Sequence, residues 1–292
     1  MTLKHSNLYH TLFLLLSFLQ ILNSQNITCI QTEILPKELD ETSGIISLNQ
    51  GLSFWTINDG GNDPILYEIN TKSEILRRVV LKNATNIDWE DLTTDFEQYV
   101  YIADCGNNIN RSEKHAIYQI LISDLITKDS ISGRRIEITF DPIKPLKKRH
   151  LDIEAMCWVD HKLYLFTKNW SSWIKNKSIV YCYDTQIESG HLNVHSTINL
   201  GWHFFAEQQI TGACYDNESE HIFLISATSI YELPKIQLNK EKIKIKKRYG
   251  TFSYLSQKEA ICSIGQDRFV ITQEKNKQLS QKATIFEVLV NQ

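Results

Sequence analysis

Beyond residue 26 the chain is a succession of short apolar runs separated by polar, glycine-containing gaps, and no window sustains the 3.6-residue period of an amphipathic helix. The runs recur in sets. A first run appears five times, as Thr42-Ser43-Gly44-Ile45, Trp89-Glu90-Asp91-Leu92, Ile153-Glu154-Ala155-Met156, Ile210-Thr211-Gly212-Ala213 and Lys258-Glu259-Ala260-Ile261. Its second column reads Ser43, Glu90, Glu154, Thr211 and Glu259, at intervals of 47 to 64 residues. Each is followed by a second β-rich run: Leu52–Ile57, Tyr99–Ala103, Lys162–Thr167, His221–Ser226 and Arg268–Thr272. A third run carries an aromatic at its second position, at Tyr67, Tyr118, Tyr181, Tyr231 and Phe286. Fourth runs follow in four sets: Ile75–Leu81, Arg135–Phe140, Asn193–Ile198 and Lys242–Lys247.

A repeat of this length built from four short strands is the signature of a blade, and radial repetition of blades makes a β-propeller. The pattern predicts an all-β, five-bladed β-propeller; a six-bladed ring would need a further repeat that the chain does not contain. The fifth set has no fourth run, while Ile27–Leu35 reads as a strand with no set of its own. That N-terminal strand is therefore expected to complete the last blade and close the ring, which removes free sheet edges.

In a propeller the first strand of each blade lines the central channel, so one repeat column converges on one axis. Ser43, Glu90, Glu154, Thr211 and Glu259 are the expected channel ring. Three carboxylates that close together need compensation. A hard cation with oxygen ligands supplies it, and three glutamates with two hydroxyls suit calcium better than magnesium or zinc. The plain alternative is a hydrated polar plug with one glutamate protonated. The loops after the second runs open on one face near the axis. They carry Asp59, Asp104, Lys168 and Glu274 at nearly one phase, with Arg111 and Asn169 beside them. Asp, Asn and Gly are also ordinary turn residues. As a set, the charges predict a polar pocket at the channel mouth where Arg111, Lys168, Asn169 and Glu274 bind a small polar or anionic ligand and Asp59 or Asp104 serves as a catalytic carboxylate.

The 292 residues carry a formal net charge of -3, so no basic field suggests a nucleic-acid polymer as partner. Thr11–Leu22 is an apolar run short for a membrane span, after Lys4 and His5 and before Asn23-Ser24-Gln25. Residues 1–25 are accordingly expected to be a cleaved signal peptide and 26–292 one propeller domain, secreted to an extracellular or periplasmic space as a monomer without a membrane span. The six cysteines, Cys29, Cys105, Cys157, Cys182, Cys214 and Cys262, have no CxxC spacing, which argues against zinc and leaves buried thiols and disulfides both open. No G-x-S-x-G, P-loop or H-E-x-x-H motif occurs.

The segments Glu41-Thr42-Ser43, Trp89-Glu90 and Glu154-Ala155-Met156-Cys157-Trp158 resemble the blade openings of the secreted calcium-activated apyrases, five-bladed propellers that hydrolyse nucleoside diphosphates. The resemblance implies that the family's central calcium maps onto Ser43, Glu90, Glu154, Thr211 and Glu259. In the first top loop the family's acidic residue is kept at Asp59, but Asn58-Asp59-Gly60-Gly61-Asn62 has no arginine. The strings Asp88–Asp91, Gly106–Asn108, Thr167–Asn169 and Ile210–Ala213 also resemble a group of secreted bacterial propeller proteins. Three functions are expected to compete: a calcium-containing propeller with an anion-binding mouth, a calcium-dependent phosphohydrolase of nucleotides or phosphate esters, and an interaction scaffold tied together by a structural metal.

Overall fold

The structure is a computed structural model, and it describes residues 27–107, 115–140, 152–168, 177–187, 190–201, 209–250 and 257–291. Among these residues five antiparallel blades form. Blade 1 contains Thr42–Ile46, Ser53–Asn58, Ile65–Asn70 and Ile75–Leu81. Blade 2 contains Trp89–Thr94, Tyr99–Asp104, His115–Leu121 and Arg134–Phe140. Blade 3 contains Ile153–Val159, Lys162–Thr167, Lys177–Asp184 and Val194–Asn199. Blade 4 contains Ile210–Asp216, His221–Ser226, Ser229–Pro234 and Lys247–Gly250. Blade 5 contains Lys258–Ser263, Arg268–Gln273 and Thr284–Val290. The first strands touch one another in a closed circle, blade 1 to 2 to 3 to 4 to 5 and back to 1.

The fourth strand of blade 5 comes from the other end of the chain. Ile27–Ile34 pairs antiparallel with Thr284–Val290, from Ile27 opposite Val290 to Ile34 opposite Thr284. Leu35 continues the junction by donating its N–H to Ala283 O at 2.9 Å. The ring is thus closed by the expected N-terminal strand.

Five hydrophobic clusters fill the five seams between blades rather than one central core. This explains why the first two strands of each blade are apolar on both faces: each face abuts a neighbour. The repeated aromatic has one job throughout. Tyr67 packs into the seam with blade 5, Tyr118 into that with blade 1, Tyr181 into that with blade 2, and Tyr231 into that with blade 3; Phe286 lies against the seam with blade 4. Each aromatic therefore faces the preceding blade, where its burial contributes about 1.5–3 kcal/mol.

One expectation needs correction. The run Lys242–Lys247 is not one strand: Lys242–Ile243 pairs parallel with Val194–Asn199 of blade 3, and only Lys247–Gly250 belongs to blade 4. The same clasp recurs twice, Ser130–Ile131 lying along the outer strand of blade 1 and His191–Leu192 along that of blade 2. Each pair sits just before its own blade's fourth strand and reaches back to the rim of the preceding blade. Helix is confined to short pieces among the described residues. Ile122–Thr127 makes a short α-helix that buries Leu125, and Lys235–Asn239 makes a 3-10 turn that buries Leu238 at the matching point of blade 4. Among the described residues no disulfide forms: Cys105, Cys157 and Cys262 are buried thiols and Cys29 is an exposed one. No helix there is long and apolar enough to cross a membrane.

Candidate functional site: an acidic cavity in the propeller channel

The channel column has a structural cause that the sequence only hints at. In every blade the pairing of the first and second strands slips at this column. The irregularities fall between Thr42 and Ile45, Trp89 and Asp91, Ile153 and Ala155, Ile210 and Gly212, and Lys258 and Ala260. The residues left out of the ladder include Ser43, Glu90, Glu154, Thr211 and Glu259. A bulge re-aims its extra side chain and leaves it outside the pleat. Five bulges in one register therefore turn five polar side chains out of the blades, four of them into one cavity.

That cavity has a volume of about 310 Å³ and is lined by Ser43, Glu90, Glu154 and Glu259 from the bulges, by Asp59, Lys168 and Glu274 from the ends of second strands, and by Gln209 and Gln257. Thr211 is the bulge residue that does not line it. The two hydroxyl members make the same bond: Ser43 Oγ donates to Trp89 O at 3.2 Å and Thr211 Oγ1 donates to Lys258 O at 2.6 Å. Each ties its blade to the next. The proton is committed to a carbonyl, while the oxygen lone pairs remain available as acceptors or ligands.

Glu90 and Glu154 are 5% and 2% exposed. Lys168 Nζ lies 2.7 Å from Glu154 Oε1, so this lysine of the lining is an internal counter-ion of the ring. Burial pulls the Lys168 ammonium down, but Glu154, Glu259 and Glu90 outweigh it and hold the pKa above the usual lysine range. Glu90 Oε1 is buried without a hydrogen-bond partner. Burial, reinforced by Glu154 and Asp59, raises the Glu90 pKa well above its ordinary value. Glu259 is raised in the same way by burial and by Glu274. Glu274 itself is pushed to about 8 by burial and by Asp59 and Glu41. Asp59 is raised, mainly by burial.

Two carboxylates absent from the expected ring join the cluster. Oxygens of Asp59, Asp88 and Glu90 lie within 4.8 Å of one another, as do those of Glu90, Asp152 and Glu154. Burial and the neighbouring carboxylates push Asp88 up to about 7. Asp88 and Asp152 stand two positions before Glu90 and Glu154, and the equivalent residues in the other blades are Glu41, Gln209 and Gln257. Reading the repeat two columns further back would have found this second polar ring.

The mouth residues separate. Asp59, Lys168 and Glu274 make one shared bond, each donating its N–H to the carbonyl of the earlier ring: Asp59 to Glu41, Lys168 to Asp152 and Glu274 to Gln257, at 2.8–3.0 Å. In blade 2 that donor is Gly106, bonded to Asp88 O at 3.2 Å. Asp104 thus stands two residues out of phase with the mouth. It is buried, lies outside the cavity lining, and its Oδ1 accepts the Asp88 N–H at 2.8 Å. Burial raises its pKa to about 6. Gly106 takes the mouth position, and a Cβ there would meet Glu90 Oε1 at 2.0 Å. The expected ligand residues Arg111 and Asn169 lie outside the described residues, as does the expected signal peptide.

No family model matches the chain, and no curated protein matches it. Solved structures do. The PQQ-bound aldose sugar dehydrogenase of Streptomyces coelicolor is similar over 90% of this chain and 97% of its own, with a TM-score of 0.50 and 10% identity. A luciferin-regenerating enzyme is similar over 89% and 95%, with a TM-score of 0.47 and 7% identity. A gluconolactonase of Xanthomonas campestris is similar over 91% and 97%, with a TM-score of 0.44 and 8% identity. Likeness at this level concerns the fold alone. Fold and site together define the class: a five-bladed β-propeller with an acidic, partly buried cavity in its channel.

Proposed function

We propose that the chain is a cation-binding propeller that holds a hard divalent cation, calcium by its donor set, in the channel cavity, and that it works as a secreted protein with a small-ligand pocket at the mouth. Glu90, Asp152 and Glu154 would hold the ion, with Ser43 and Glu259 facing the same space. All are oxygen donors of the kind calcium takes six to eight of. The observation that carries this reading is Glu90 Oε1, a carboxylate oxygen that is buried, unpartnered and turned into a cavity with four further carboxylates in its lining. A buried, unsatisfied charge is costly in a folded protein. A cation removes that cost.

The mouth reading changes with Lys168 on Glu154. Without a cation the lining is acidic and repels anions. With one bound, the local field inverts and a phosphate or carboxylate is attracted to the ion itself. The phosphohydrolase reading keeps one supporting observation, since Asp59 lines the same cavity, where it would orient a water beside the proposed ion.

Calorimetric titration of the purified protein with calcium tests the proposal. The wild type is expected to bind and to gain thermal stability by linkage. Glu90→Gln is expected to lose most of both. A wild type whose melting temperature is the same in calcium and in chelator overturns the cation reading.

A further inference from the structure

The geometry points to a second cation position beside the first, formed by Asp59, Asp88 and Glu90, with Glu90 bridging the two ions. This rests on the channel reading for its first position, but its ligands are different. Asp59 comes from the end of a second strand and Asp88 from the loop before a bulge; neither belongs to the channel column.

Three observations carry it. First, the carboxylate oxygens near Glu90 fall into two triads, Asp59–Asp88–Glu90 and Glu90–Asp152–Glu154, each within 4.8 Å and sharing only Glu90. Three oxygens at that spacing surround a point close to calcium's ligand distance of about 2.3–2.6 Å. Second, Glu90 is 5% exposed and its Oε1 has no hydrogen-bond partner although it lines the cavity. An oxygen without a partner is free to take a cation. Third, backbone has been cleared around this triad. A Cβ on Gly60 would lie 2.5 Å from Asp88 Oδ1, and one on Gly106 would lie 2.0 Å from Glu90 Oε1 and 2.7 Å from Asp88 Oδ2. Both glycines let the chain pass against the carboxylates without a side chain between them.

Charge supports the count. Asp59, Asp88, Glu90, Asp152, Glu154, Glu259 and Glu274 surround the region, with Lys168 as the cation of the lining. Fully ionised, these seven carboxylates and the Lys168 ammonium carry a charge of -6; one divalent ion leaves -4 and a second brings it to -2. Carboxylate-bridged ions of this kind stand about 3.5–4 Å apart, close enough to clamp one anionic oxygen between them. Lys168 Nζ bonds Glu154 Oε1 at 2.7 Å, a ligand of the first position and not of the second.

Equilibrium dialysis against calcium at pH 7.5, with manganese as a spectroscopic probe, tests this on the full chain. The wild type is expected to bind two ions, and manganese at saturation to give a spin-coupled resonance spectrum. Asp88→Asn and, independently, Asp59→Asn are expected to bind one ion and to give the spectrum of isolated manganese. One ion in the wild type, unchanged in both variants, overturns the second position and leaves the channel position standing. Two ions in the wild type and in both variants overturns the ligand assignment. No binding at all overturns both readings.

Discussion

Glu90 and Asp91 are consecutive residues with buried carboxylates, 5% and 1% exposed, and their surroundings are opposite. Asp91 is saturated. Its Oδ1 accepts the N–H of Leu92 at 2.8 Å, and its Oδ2 accepts those of Met156 at 2.8 Å and Ala213 at 3.2 Å. One carboxylate in blade 2 thereby holds the first strands of blades 3 and 4. Glu90, one residue earlier on the bulge, is left with an unpartnered oxygen in an open cavity. Buried carboxylates are worth having only when their hydrogen bonds are made. The channel thus has a closed level that builds the protein and an open level that is completed from outside.

The largest effect should come from breaking the closed level. Asp91→Ala leaves three buried N–H groups without an acceptor, each costing about 1–3 kcal/mol. Urea denaturation should show a loss of about 3–5 kcal/mol that added calcium does not restore. Asp91→Asn keeps one carbonyl acceptor and should cost less. If Asp91→Ala is as stable as the wild type, the division into two levels fails.

Next in size is the pH response of the open level. Asp88 and Glu274 are raised by burial to about 7 and about 8, so the folded chain holds protons that the unfolded chain releases above about pH 4. Their stabilisation is complete below the unfolded values and is lost as pH rises through the folded ones. In chelator the melting temperature should fall between pH 5 and pH 8.5, by roughly 5–10 °C. Calcium should flatten or reverse that slope, because a bound cation favours the ionised forms. A flat profile in chelator would mean that the cavity carboxylates are already compensated.

Glu90→Gln should then have the opposite sign to Asp91→Ala. In chelator it removes one crowded charge and is expected to raise stability by about 1–2 kcal/mol. A destabilised Glu90→Gln in chelator would make Glu90 a structural residue like its neighbour.

The two levels also differed in how well the sequence exposed them. The bulge column was legible because one residue per blade repeats in one register, and the aromatic third-strand column because each ring does the same packing. Asp59, Lys168 and Glu274 were correctly grouped by phase, and the structure brings them to the cavity. Asp104 was not separable from them by counting. Blade 2 carries Cys105 between the strand end and the mouth position, which shifts the register so that Gly106 occupies the site. Asp88, which flanks Glu90, reads in the sequence as facing away from the axis or anchoring the neighbouring turn, and Asp152 has no signal of its own, because Asp before a strand is also turn chemistry; the structure groups both with Glu90. Asp91 reads in the sequence only as facing away from the axis or anchoring a turn: its partners include backbone N–H groups of two other blades, and no side-chain pattern announces them. The parallel clasps escaped for a similar reason, since two-residue strands have no period to read.

The smallest expected effect concerns Lys168, and it decides what kind of residue the lysine is. At 2.7 Å from Glu154 it already supplies a positive charge to the ring, and a divalent ion on Glu154 must share or displace it. Lys168→Met removes the competitor while keeping the length of the apolar stem. In chelator the variant should be somewhat less stable, because Glu154 loses its counter-ion in a buried place. In calcium it should bind more tightly, by about tenfold, the equivalent of about 1.4 kcal/mol. A lysine that served instead to grip an anion at the mouth would behave differently. Its loss would leave calcium affinity unchanged and abolish calcium-dependent binding of inorganic phosphate. Measuring both affinities on the one variant separates an internal counter-ion from an anion ligand, and tighter calcium with phosphate binding retained is the result that the Lys168–Glu154 pair predicts.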